Sequence, residues 1–310
     1  MSSAAQAYVA TFFKNILFAT DLSPSTRVAF PHLRVLAGRH GSTIHMVHVM
    51  APEPMLELPL DRIPEMDADQ DAAMRAMKRM LADEPFGLIP CTCKVTRGEL
   101  WQALSAVIEE KQIDLIVVGT HGRRGLSKLV LGSVCEQVFR QAACPVLTVG
   151  PHVSAGLLGR DSTILFATEF SEGSERALQY AAGLARKYGA HLVMLHAVPM
   201  SLDVVPSHFF NLGSSVEVIT EYVAETVAEA RRRVMALLPA ETMAELRPEV
   251  VVDCGAAAEK ILSMAENKRA NLIVMGAHGA SAHSMSTHLP WATASKVVCE
   301  AACPVLTVRG

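Results

Sequence analysis

The feature that most constrains this chain is that its sequence occurs twice. Asn15–Ser23 reads NILFATDLS and Thr163–Ser171 reads TILFATEFS. Ile44–Val49 (IHMVHV) is matched by His191–Val198 (HLVMLHAV), and Asp114–Gly122 (DLIVVGTHG) by Asn271–Gly279 (NLIVMGAHG). Ala143–Val149 recurs unchanged as ACPVLTV at Ala302–Val308. Four blocks in one order, offset by about half of the chain, mark a duplicated domain and not the short period of a solenoid. With 310 residues, each copy has ordinary domain length and can bury its own core. The join is expected in Gly150–Arg160 (GPHVSAGLLGR), a glycine-rich stretch holding a proline between two periodic segments. The expected domains are therefore residues 1–152 and 161–310.

Within each copy the pattern alternates strand and helix. ILFAT, IHMVHV and LIVVG are short apolar runs rich in β-branched residues, as suits parallel strands covered on both faces. Between them lie segments with helical spacing: Arg27–His40, behind a cap-like Ser23-Pro24-Ser25 and ahead of Gly41; Asp69–Leu81; Trp101–Glu110; Val216–Leu238; and Ala257–Asn267. Such alternation implies right-handed crossovers and a doubly wound parallel sheet. Ala51–Pro64 and Pro199–Gly213, irregular and proline-containing, follow the second strand of each copy. They are expected above the carboxyl edge of the sheet, where ligands bind in this architecture.

Charge and cysteine usage narrow the function. A net charge of -3 gives no electrostatic reason for nucleic acid or an anionic membrane as partner. MSSAAQAYVATFF has no Lys or Arg ahead of its apolar part and makes a poor signal peptide. No apolar stretch reaches the roughly 20 residues of a membrane span. Seven scattered cysteines without a CxxC pair suit reduced thiols, and hence a cytoplasmic protein.

The chemistry-bearing segment of the first copy follows the strand Leu115–Val118. Gly119-Thr120-His121-Gly122 is followed by nine residues and then Gly132-Ser133 at the start of a helix. Gly119 lets the chain leave the strand sharply and Gly122 lets backbone approach a ligand. Gly132 and Ser133 place N–H groups and a hydroxyl at a helix N-terminus, where the macrodipole favours phosphate. Arg123, Arg124 and Lys128 offset phosphate charge, and Asp21, at the end of the first strand, faces the same crevice and can accept from ribose hydroxyls. Glycines that only build a turn are the plainer explanation; the full spacing with the basic loop and Asp21 favours a nucleotide site.

GTHGRRGLSKLVLGSVCEQVFRQAACPVLTVG closely resembles the signature of the universal stress protein family, G-x2-G-x9-G-S/T followed by a helix and a CPV strand. The resemblance spans nearly the whole chain, twice, and implies a five-stranded parallel sheet of order 3-2-1-4-5 with helices on both faces of each copy. It also implies ATP, with or without magnesium, in the complete copy. Ala19 and Asp21 would hold the adenosine end, the backbone of Val49 would meet the adenine, and Gly119, Gly122, Arg123, Gly132, Ser133 and Val134 would cradle the phosphates. The family further implies pairing around the last strand, Val146–Val149 and Val305–Val308 here, as an internal pseudo-dimer or a homodimer.

The second copy departs where the phosphates would sit. Gly276 and Gly279 remain, but counting onward from Gly279 gives Leu289-Pro290, and counting back from the CPV strand gives Trp291-Ala292. Gly279 to Cys303 spans 24 residues against 22 from Gly122 to Cys144. The basic residues give way to ASAHSMSTH, and Glu169 stands for Asp21. No nucleotide is expected in this copy. His278, His283 and His288 have the wrong spacing for one helical face and are expected to be solvated or packed, not metal ligands. Cys91-Thr92-Cys93 places two thiols on one face of a strand, expected as packing groups. Three functions follow in order: a non-enzymatic ATP-binding stress-response protein with no catalytic residues, a slow ATPase or related enzyme, and a nucleotide-free scaffold.

Overall fold

The computed structural model describes residues 13–52, 63–119, 133–154, 156–199, 216–277 and 292–309. The chain divides into two compact units, Phe12–Val153 and a second comprising Ser154–Gly310.

In the N-terminal unit, β1 (Asn15–Ala19), β2 (Thr43–Met50), β3 (Cys91–Arg97), β4 (Leu115–Gly119) and β5 (Val146–Val149) are all parallel, in the order β3-β2-β1-β4-β5. Helices α1 (Phe30–His40), α2 (Ile63–Asp83), α3 (Leu100–Lys111) and α4 (Ser133–Gln141) connect them. The C-terminal unit repeats this order as β8-β7-β6-β9-β10: β6 (Thr163–Thr168), β7 (His191–Val198), β8 (Glu249–Cys254), β9 (Leu272–Gly276) and β10 (Val305–Val308). Its helices are α5 (Glu172–Tyr188), α6 (Val216–Ala236), α7 (Ala240–Leu246), α8 (Ala257–Asn267) and α9 (Ala292–Glu300). The doubly wound fold with order 3-2-1-4-5 is thus present in each unit.

Burial explains the unbroken apolar strands. In β1, Leu17 and Ala19 join Val118, Leu104, Val107 and Val138 in a core beneath α3 and α4. Phe18 points to the other face, meeting Phe30 edge-on at 5.4 Å, and Phe30 meets Phe86 at 5.2 Å. A strand covered on both sides has no position left for polar alternation. The entry of each central strand is pinned from far along the chain. Asp114 accepts from the N–H groups of Lys14 (2.7 Å) and Asn15 (3.2 Å). Asn271 accepts from the Thr163 N–H (2.9 Å) and donates to the Gly156 carbonyl (2.9 Å). Among the described residues no helix is long and apolar enough to cross a membrane.

The start of the first helical layer departs from the sequence expectation. Arg27–His40 is not one helix: Pro24–Ala29 forms a 3-10 turn and α1 begins at Phe30. Pro31 is the cause, because it has no N–H to donate to the Arg27 carbonyl four residues back; the Phe30 N–H takes that carbonyl instead. The C-terminal copy has Gln179 at this point, and α5 runs unbroken from Glu172. Ser23 likewise makes no capping bond, its hydroxyl lying 2.7 Å from that of Ser25. Its counterpart Ser171 does cap, accepting from the Ser174 N–H.

Candidate nucleotide crevice

The strand order reverses between β1, which leads to β2, and β4, which pairs with its other side. Connections leave that point toward opposite faces, opening a crevice at the carboxyl edge. Ala19 pairs with Val47 on one side and Val118 on the other, so Asp21, Val49 and Gly119 all belong to this edge. Ala19 lies in the α3/α4-side core, and Val49 and Val134 pack against the same core. Ser133 opens α4; because α4 runs back toward β5, its N-terminus lies at the carboxyl edge too. Ala19, Asp21, Val49, Gly119, Ser133 and Val134 are therefore gathered at one end of the sheet. Gly122, Arg123 and Gly132 lie outside the described residues, as do Arg124, Lys128, His278, His283, His288, Pro290 and Trp291.

The alternation of β2 explains how Val49 can act through main chain alone. The Val47 carbonyl accepts from the Thr20 N–H at 3.0 Å, so Val47 directs its backbone groups toward β1. Two residues on, Val49 directs its N–H and C=O to the same side, where β1 has already ended. Met50 faces the other way, its carbonyl accepting from the Gly98 N–H at 3.1 Å.

Asp21 is held by a network in which sequence reasoning assigned no role to Thr20 and Thr26. The Thr20 Oγ1 accepts from the Leu22 N–H at 3.0 Å and lies 3.2 Å from the Thr26 Oγ1, which donates to the Ser23 carbonyl at 2.7 Å. The His48 Nδ1 is 2.8 Å from the Thr20 carbonyl and must carry the proton there, since a carbonyl only accepts. Asp21 itself accepts from the Ser23 N–H at 2.9 Å. Leu22 is forced to a φ of 63° to make this turn. The threonine and histidine bonds recur in the second copy: His196 Nδ1 to the Thr168 carbonyl at 2.8 Å, Phe170 N–H to the Thr168 hydroxyl at 3.0 Å, the Thr168 and Ser174 hydroxyls at 3.1 Å, and the Ser174 hydroxyl to the Ser171 carbonyl at 2.8 Å. The signal was in the sequence, as a hydroxyl and an imidazole at matched positions of both copies. Both histidines serve hydrogen bonding to the strand-end carbonyl.

The two crevices differ in their walls. Gly119 has no positive φ, and among the described residues an added Cβ would meet only Thr26 carbon atoms, at 3.7 Å. At the matching Gly276, a Cβ would stand 3.0 Å from the Ser174 nitrogen and 3.1 Å from the Gly173 carbonyl carbon. The unbroken α5 brings backbone closer to β9 than the 3-10 turn comes to β4. In the second copy Phe170 stacks on His196 at 4.4 Å, with the Arg233 guanidinium 4.0 Å over its ring. Desolvation, with Arg233 adding to it, lowers the His196 pKa despite the bond to Thr168. Glu169 is exposed, accepting from the Ser171 hydroxyl at 3.2 Å. Burial pushes the Cys144 and Cys303 thiols up to about 11 and about 12, marking them as packing groups.

A doubly wound α/β domain with its crevice at the switch point, present twice in one chain, defines the class. Both halves match the model of the universal stress protein family, over residues 12–150 and 162–309, and the chain belongs to that family. Universal stress protein MJ0531 of Methanocaldococcus jannaschii is 30% identical over 141 residues, covering 44% of this chain and 82% of that protein. Universal stress protein A homolog 1 of Coxiella burnetii is 32% identical over 139 residues, 44% of this chain and 96% of that protein. The solved structure of a universal stress protein from Archaeoglobus fulgidus superposes with a TM-score of 0.65 at 22% identity, over 96% of this chain and 97% of that one.

Proposed function

We propose that the N-terminal domain, residues 1–152, binds ATP, with or without magnesium, and that the chain is a non-enzymatic cytoplasmic stress-response protein. Nucleotide occupancy would set the conformation of the loops over the crevice and thereby a partner surface. The observation that carries this reading is the meeting, at one switch point, of the Val49 main-chain groups, the Asp21 carboxylate and the start of α4. Adenine takes main-chain hydrogen bonds, ribose hydroxyls donate to a carboxylate, and phosphates favour a helix N-terminus. Arg123, Gly122, Gly132 and Ser133 carry the phosphate end of the proposal on their sequence spacing. The C-terminal domain, residues 161–310, has an exposed Glu169 for Asp21 and no Gly-Ser at the loop end, and takes no ATP in this reading.

Calorimetric titration of the full chain with ATP tests this. One site per chain is expected. Asp21→Ala should weaken binding at least about tenfold, a loss of about 1.4 kcal/mol, and Glu169→Ala should leave it unchanged. A folded wild-type chain that takes no ATP would leave the nucleotide-free scaffold in place. Turnover well above that of Gly132→Trp would favour the enzyme.

A further inference from the structure

Away from the crevice, β3 is the outer strand of its unit and carries Cys91 and Cys93. Both are half-buried, while Thr92 and Lys94 are exposed. The thiols therefore share one face, and the Cys91 thiol donates to the Thr92 carbonyl at 3.9 Å. That face is covered by α2. Gln70 donates to the Val95 carbonyl at 3.3 Å, and Lys78 is near enough to act on the charge of Cys93. The fold does not demand sulfur here. His45 pairs with Thr92 and its counterpart Val193 with Glu249, so the twin strand has Pro248 and Val250 in place of Cys91 and Cys93.

Spacing decides what two such thiols can do. Residues two apart on a strand are about 6.6 Å apart, with parallel Cα–Cβ vectors, whereas a disulfide draws its Cβ atoms to about 3.8 Å. Direct S–S closure would bend the strand. A two-coordinate ion between the sulfurs spans about 4.6 Å, twice a metal–thiolate bond of about 2.3 Å, and sulfurs leaning inward from an undistorted strand meet that span. Thiolate donors suit soft ions, copper(I) among them, and copper(I) accepts two-coordination.

We propose that Cys91 and Cys93 form a two-thiolate seat for a soft monovalent cation of the copper(I) class, independent of the nucleotide crevice. Binding breaks two S–H bonds, forms two metal–sulfur bonds and releases two protons to solvent; no electron is transferred and the ion remains monovalent. Two thiolates, the ion and the Lys78 ammonium then sum to no net charge, which suits a half-buried position.

The test adds copper(I) anaerobically to the full-length protein against a chromophoric copper(I) chelator, with native mass spectrometry for stoichiometry. One ion per chain is expected. Cys91→Ser, Cys93→Ser and Cys93→Val, the last restoring the twin's own residue, should each lower retention at least about 100-fold. Cys254→Ser should not change it, and circular dichroism should show all four variants folded. A wild-type chain that loses all copper to the chelator, or Cys93→Val retaining it equally, overturns the proposal. So does a Cys91–Cys93 disulfide formed under mild oxidation, because that would refute the spacing.

Discussion

Replacing Gly276 by alanine should destabilise the C-terminal unit, whereas the same change at Gly119 should not. The two glycines end matching strands, β9 and β4, in matching sequence, LIVMG and LIVVG. Neither has a positive φ, so alanine is conformationally tolerated at both. The difference is what stands opposite. At Gly276 the new Cβ falls 3.0 Å from the Ser174 nitrogen and 3.1 Å from the Gly173 carbonyl carbon, both backbone atoms of the capped first turn of α5. That turn has to shift, and overpacking of this kind costs about 1–3 kcal/mol. The loss of glycine freedom in the unfolded chain returns about 0.4–1 kcal/mol, leaving a net loss centred on about 1.3 kcal/mol. At Gly119 the Cβ meets, among the described residues, only Thr26 at 3.7 Å, an ordinary contact that leaves the favourable unfolded-state effect. In a domain of this size each kcal/mol moves the melting temperature by about 2–4 °C. Urea unfolding followed by pulse proteolysis identifies which half opens first. An unchanged Gly276→Ala midpoint, or an equal fall for Gly119→Ala, would refute the argument.

Other consequences are as direct. Ser171→Ala should cost about 1 kcal/mol through loss of the α5 cap, and Ser23→Ala measurably less, since Ser23 caps nothing; the comparison needs only two denaturation curves. Thr20→Val removes the acceptor for the Leu22 N–H and should lower stability by about 1–3 kcal/mol, with ATP affinity falling alongside as Asp21 loses its support. Burial lowers the pKa of His32, His45 and His196 below 6.5. Their neutral rings thus contribute stability that is present above the unfolded pKa and is lost as pH falls through the lower folded values. The urea midpoint should be lower at pH 5 than at pH 7.5, and an equal or higher one at pH 5 would count against those three burials.

Sequence and structure agree where local pattern and global burial coincide. ILFAT and LIVVG form central strands because nothing in them can face water, and the repeat carries that reading to both copies. The cap-like Ser23-Pro24-Ser25 misled because Pro31, seven residues beyond Pro24, governs that helix; Ser23 and Ser171 look alike until their hydrogen bonds are seen. The short helix α7 carried no periodic signal of its own over seven residues. At the crevice, the candidate residues Asp21 and Gly119 could be read from spacing. The backbone direction of Val49 follows from where β1 ends relative to β2, which is a register and not a residue type. Gly119 and Gly276 are indistinguishable as letters, and only the helix packed against each separates them.

The long-range pins at the strand entries bear on how the protein is made. Asp114 secures Lys14 across 100 positions and Asn271 secures Thr163 across 108, and β1 and β6 each need a neighbour that is synthesised last but one. At about 5–20 residues per second, the centre of each sheet waits several seconds on the ribosome with one flank unsatisfied and its apolar strand exposed. Slow translation, or a shortage of chaperone, should therefore endanger this chain twice during each round of synthesis.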